Sequence, residues 1–458
     1  MKKLITLPNF FLLVIFCIPF YLIKISLFDV PTNVLELFAM ITIILTITQY
    51  KKQLVEELFK LPKMLIFSCV LIILGILISI FFNNNPFTGI GILKGWFIVP
   101  MFFSFTIYTT LKSDTDVKKV FASIYFSAAA VAMIAIFYKF FGITTYDNRL
   151  SAFYLSPNQL AMYLAPGIFF GLYFLLSAVL QKNTHKKILL HTALLMTIIT
   201  SLYYTYSYAA WIALLFSLAI TLFVQLCHSR GGGNPGSTQI FTTLSSKKLV
   251  ETIPDQVRND KFLAIKAIFI TVLFLLICLP ILFFSQINTE KFSALSNLSQ
   301  RSSIASRATI WKVSVRLLKD NAIVGIGPGN FQPSYLAMQK YYPPYLEWAV
   351  PQPHNIFMAF WLQAGLLGFI GFLILLSFIF TTLWQQLKNK KNTALAAPLF
   401  GFFIYSTLHG LVDTTYWKND LAFLFWICIF LLISIKNLTK ITNYSHIQPP
   451  SQHLHEHD

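Results

Sequence analysis

His354 and Asn355 stand side by side, nine residues separate them from Gly365, and Gly368 and Gly371 follow at three-residue steps. An imidazole can take a proton from a hydroxyl near neutral pH, which makes this histidine a candidate general base. The apolar run after Asn355 must be helical, and a helix start carries partial positive charge. That charge keeps an imidazole neutral and attracts anions. A histidine that merely caps the helix or sits at a membrane interface fits the same place, and residue type alone leaves both readings open. Arg301 and Arg307 lie upstream. A guanidinium grips phosphate oxygens through a two-pronged fork, so these arginines are candidates for an anionic leaving group.

Other residues could serve the same chemistry. Lys94 and Glu36 are charges inside otherwise apolar stretches, and such charges usually face a cavity. Arg149 precedes Pro157-Asn158 in a short polar connection, and His409 and Asp413 lie near the end of a later apolar run. Tyr345 and Trp348 belong to an aromatic run that could stack on sugar rings or form an interfacial belt. The segment from Gly325 to Asn330 lacks the Lys-Ser/Thr of a nucleotide loop and reads as a tight turn. Asp114-Thr115-Asp116 reads as a helix start rather than a metal pair. The five cysteines show no metal spacing. No metal and no other cofactor is expected.

The elements that position these residues are membrane helices. The chain has 458 residues, of which 56% are hydrophobic and 11% charged, with mean hydropathy +0.67. No soluble domain reads this way. Apolar runs long enough for a bilayer recur about twelve times: at 10–23, 34–50, 64–82, 89–109, 120–141, 160–180, 188–203, 209–227, 262–284, 355–380, 394–411 and 421–435. The expected class is all-α: a polytopic membrane protein with a large outward helical loop. The net charge of +18 is read as topology rather than nucleic-acid binding. Lysines fill one set of loops, whereas the alternate short loops hold only Lys24, Arg149 and Lys418. By the positive-inside rule both termini are cytoplasmic. This gives N-terminal spans over 1–284, an outward loop over 285–353, C-terminal spans over 354–440 and a polar tail over 441–458. Within the first block, 229–261 is Gly/Pro/Ser-rich, aperiodic and read as a disordered insertion. In the outward loop, Ile304, Ala308, Trp311, Val315 and Leu318 recur at helical spacing and predict an amphipathic helix. Arg307 sits at the edge of that stripe, and Lys312 and Lys319 are read as solvated.

His354-Asn355, the Gly365/Gly368/Gly371 ladder, the stretch from Arg307 to Trp311, the Gly325–Phe331 turn and the stretch from Arg149 to Pro157-Asn158 together resemble the O-antigen ligase family. Surface-polymer polymerases and bacterial protein O-oligosaccharyltransferases share the signature. The resemblance implies a membrane glycosyltransferase at the periplasmic face of the bacterial inner membrane. It moves a glycan from polyprenyl pyrophosphate to an acceptor hydroxyl without a metal. Lipid A–core is the first expectation for the acceptor; a growing polymer or a protein Ser/Thr is the alternative. His354 and Arg307 would carry the chemistry, with Arg301, Arg149 and Lys94 on the pyrophosphate and Asn355, Tyr345 and Trp348 near the sugars. One position departs from the family pattern: Tyr208 stands where members often have arginine after a serine. Lys94, Arg149 or Arg301 would then have to compensate. A secondary transporter is the rival class, but its paired broken helices and internal repeats are not evident in the sequence.

Overall fold

The structure is a computed structural model; it describes residues 6–27, 30–83, 85–181, 184–230, 284, 303–343, 350–389 and 392–445. The fold is all-α. The helices are α1 (Leu7–Phe16), α2 (Val34–Lys60), α3 (Lys63–Phe81), α4 (Pro86–Leu93), α5 (Val99–Thr110), α6 (Asp114–Phe140), α7 (Pro157–Leu180), α8 (His185–Tyr204) and α9 (Tyr208–Arg230). After a segment outside the described residues come α10 (Ser303–Asp320), α11 (Phe331–Gln339), α12 (Ile356–Lys388), α13 (Thr393–Gly410) and α14 (Asn419–Ser445).

Among the described residues, nine helical stretches are long and apolar enough to cross a membrane. Nine of the twelve expected spans are thereby matched. The helix at the first expected span, α1, is shorter. The run at 394–411 is the helix α13, and the run at 262–284 lies outside the described residues, Phe284 apart. Large apolar side chains such as Phe67, Phe81 and Phe102 are exposed, as lipid-facing residues must be.

Local chemistry explains where helices start. Ser113 and Asp116 form a reciprocal capping box at α6, so Asp114-Thr115-Asp116 is a helix start. Ser156 caps α7, with Pro157 at its first position. The stretch after α1, read from sequence as a plain loop, contains an antiparallel hairpin of β1 (Lys24–Leu27) and β2 (Val30–Asn33), with Lys24 opposite Asn33. Between α4 and α5 a π-helical turn spans Lys94–Ile98. Pro100 has no N–H for the carbonyl of Trp96 one turn earlier, and the Tyr416 hydroxyl donates to that carbonyl at 2.7 Å instead.

The glycine ladder sets the packing of α3 on α12. A side chain on Gly75 would strike the Gly368 backbone, and one on Gly371 would meet Ile72 N at 2.9 Å. Gly365 breaks α12 with φ +65°, a conformation glycine adopts without Cβ strain. The turn at 321–327 fills the break: Ile326 N donates to Leu362 O at 2.6 Å and Leu366 N to Ile323 O at 2.9 Å.

Candidate active site

His354 lies just ahead of α12, before the stub that runs to Gly365. Asn355 caps the helix, accepting from Met358 N at 3.0 Å, and its amide donates to Leu411 O at 2.9 Å. Its oxygen thus caps the stub and its amide ties the stub to the loop after α13. His354 has φ +49°, a left-handed conformation that costs a non-glycine residue about 1–3 kcal/mol. Its carbonyl accepts from Trp311 Nε1 at 3.2 Å. The histidine is thus tied through its backbone to α10 and through its neighbour to the loop after α13.

Asp413 organises the site. It is buried in the connection between α13 and α14. One oxygen meets His354 Nδ1 at 3.0 Å, and the other faces Arg307 Nη2 at 3.5 Å. Burial alone would raise the Asp413 pKa. The charge and hydrogen bond of His354 and the charge of Arg307 outweigh that and hold the carboxyl well below the usual carboxylate range. An ionised carboxylate can only accept, so Nδ1 must donate to it. The lone pair of a neutral ring then lies on Nε2, where a base needs it.

Arg307 is fixed on three sides. Nε donates to Val412 O at 2.7 Å, Nη1 to Ser303 Oγ at 2.8 Å, and Nη2 faces Asp413. Its helix packs differently from the expectation. The face turned inward is Ile310, Val313 and Leu317. Of the predicted stripe, Trp311 and Leu318 pack against that face, whereas Ile304 is 48% and Val315 41% exposed. The period was read correctly, but the buried face also uses small and polar residues, Ala305, Ser306, Thr309 and Ser314, which a search for apolar stripes passes over.

Arg149 arrives from the connection between α6 and α7. Nε donates to Thr205 O at 2.8 Å and Nη2 to Asn158 Oδ1 at 2.8 Å. Burial lowers its pKa, opposed by Asp147, and the charge of Arg307 lowers it further. The guanidinium groups of Arg149 and Arg307 therefore lie within electrostatic reach of each other, and Tyr208 is also within reach of Arg149. Arg149 also faces Asp147 at 3.7 Å; like charges gathered in a partly buried place raise the local attraction for an anion.

Of the three residues expected to compensate for Tyr208, the structure brings Arg149 toward Arg307. Lys94 instead pairs with Glu36 at 2.9 Å, a carboxylate also held by Thr32, Asn33 and Asn419. Arg301, Tyr345 and Trp348 lie outside the described residues. His409 is buried one turn before Asp413 and pairs with the Tyr405 hydroxyl at 2.9 Å. Among the described residues no group of three His, Cys, Asp or Glu has metal-holding geometry. Sequence reasoning noted Asp413 but gave it no role. The available signal was an acid four residues after a histidine, at the end of an apolar run.

Residues 192–373 match the family model described as O-Antigen ligase. This stretch is similar to that family. It contains Arg307, His354 and the glycine ladder, whereas Arg149 and Asp413 lie outside it. The match supports a membrane glycosyltransferase of the ligase or polymerase type. Comparison with curated proteins gave no match.

Proposed function

We propose that the protein transfers a glycan from a polyprenyl pyrophosphate to an acceptor hydroxyl at the periplasmic face of a bacterial inner membrane, with lipid A–core as acceptor. The observation that carries this reading is a base and a cation, His354 and Arg307, held on the two oxygens of one buried carboxylate, with Arg149 in reach. The acceptor O–H gives its proton to His354 Nε2, and its oxygen bonds to the anomeric carbon. The bond from that carbon to the pyrophosphate breaks, and the electron pair leaves on the phosphate oxygen. Arg307 and Arg149 offset the charge that grows there, which is the step where fixed cations lower such a barrier most. Asp413 orients the imidazole and stabilises the imidazolium. With guanidinium groups in this role, the mechanism needs no divalent cation. The sided lysine pattern supports a periplasmic site.

The test is transfer from a polyprenyl-pyrophosphate glycan by the detergent-solubilised full chain, with a chelator present. His354→Ala and Arg307→Ala each abolish transfer at unchanged protein levels. Arg307→Lys restores only part, because an ammonium cannot reproduce the fork. Lys312→Ala, on the exposed side of α10, is nearly silent. Normal turnover by His354→Ala would reduce the histidine to a helix cap, and a chelator-sensitive reaction would overturn the metal-free mechanism.

A further inference from the structure

Glu36 is a buried charge that the proposed mechanism leaves unused. Four donors converge on its two oxygens. Asn33 Nδ2 and Asn419 Nδ2 each donate to Oε1 at 2.8 Å. Thr32 Oγ1 donates to Oε2 at 2.9 Å, and Lys94 Nζ pairs with the same oxygen at 2.9 Å. These donors come from three separate parts of the chain: the end of β2, the π-helical turn and the first residue of α14. The glycine after Lys94 makes room for the carboxylate. A Cβ on Gly95 would strike Glu36 Oε1 and lie 3.1 Å from Asn419 Nδ2.

Asn419 also ends the connection that carries Asp413. Its oxygen accepts from Trp96 Nε1 at 3.0 Å, and its amide reaches Gly95 O at 3.3 Å. Three residues earlier, the Tyr416 hydroxyl holds the Trp96 carbonyl. Trp417 packs its ring against Phe97 of the turn, with centres 5.4 Å apart, and against Phe360 of α12 at 5.2 Å. The near end of the connection hangs on α13, where Asp413 N donates to His409 O at 2.9 Å. The segment that presents Asp413 is therefore pinned at one end by α13 and at the other by the donors around Glu36.

A buried ion pair is a weak source of stability, because well-packed apolar residues often serve as well. What it supplies here is geometry. A carboxylate with four donors fits one arrangement of the segments that bring them. Catalytic groups feel such placement, since a shift of about 1 Å can cost about 10²-fold in rate.

We infer that Glu36 is a positioning residue: through Asn419 it clamps the far end of the connection between α13 and α14, and so sets where Asp413 meets His354 and Arg307. Its part in catalysis rests on the proposed glycosyl transfer; the clamp itself does not.

Amide hydrogen exchange of the full chain in detergent reads the clamp without turnover. Glu36→Gln keeps the volume and removes the charge that holds Lys94. It should raise exchange across 413–418 at least threefold, a segment that includes Thr414 N, which donates to Asp413 Oδ1 at 2.9 Å. Exchange in the turn at 321–327 should stay as it was. Gly95→Ala removes no polar group but forces the carboxylate away from Asn419, and it should act in the same direction. It keeps the test open should Glu36→Gln fold poorly. Lys312→Ala should match the unmodified protein throughout. Unchanged exchange across 413–418 in a folded variant overturns the clamp. In the transfer assay, Glu36→Gln should lower kcat at least tenfold. Added to Asp413→Asn, where the carboxylate to be placed is gone, it should lower kcat less than twofold further. A residue that only stabilises the fold would lower both by the same factor. Equal factors, or a normal kcat in Glu36→Gln, overturn its part in the reaction. Raised exchange in the variants of a protein that transfers no glycan even when unmodified would sink the proposed reaction and leave the clamp standing.

Discussion

At the residue scale, Asp413 is where the site is most exposed to a single change. Asp413→Asn keeps the volume but takes the charge that fixes Nδ1 as donor and that faces Arg307. We expect kcat to fall roughly 10²- to 10⁴-fold, the usual worth of positioned acid–base catalysis, and the transfer assay measures it directly. A kcat within threefold of normal would remove Asp413 from the catalytic apparatus. The histidine, Arg307 and Arg149 could be picked out of the sequence because each is a rare polar residue next to an apolar run. Asp413 could be noted at the end of an apolar run but not given a role, because its partners Arg307 and His354 lie far from it along the chain.

At the element scale, glycine decides how closely helices approach. Gly371→Ala, whose Cβ would meet Leu71 Cβ at 2.8 Å and Ile72 N at 2.9 Å, should destabilise by about 1–3 kcal/mol, as overpacking does. Gly365→Ala adds backbone strain to a collision with Ile323 O at 2.7 Å and should cost at least as much. Gly91→Ala meets nothing within 4 Å and serves as the silent control. Thermal unfolding in detergent ranks the three, and equal midpoints would mean the helices separate easily. The ladder was plain in the sequence, but its use was not. Three-residue steps show that one helix face is smooth. They do not show that α3 presses on it, nor that the first glycine breaks the helix rather than continuing it. The hairpin after α1 escaped notice because its strands are short and mixed in polarity.

At the scale of the whole molecule, nine of the twelve expected spans were legible because a bilayer imposes its thickness on every crossing segment. The assembly of distant connections into one site was not, because nothing local in the chain records it. Sidedness can be checked at Lys312, which is exposed on α10. In a Lys312→Cys variant, a membrane-impermeant maleimide should label intact cells once the outer barrier is opened. Labelling that requires the inner membrane to be broken would place the site on the other side. The shared carboxylate also implies an order of events. Arg307 and His354 draw on the same negative charge. On the proposed reaction, a pyrophosphate that took hold of the arginine would draw counter-charge away from Oδ2 and leave more of the carboxylate's field on the imidazole. The Nδ1–H would then be gripped more firmly by Oδ1, and only with the donor in place. Arrival of one substrate would in this way aim the group that activates the other, and an empty enzyme would hold its imidazole less firmly in line.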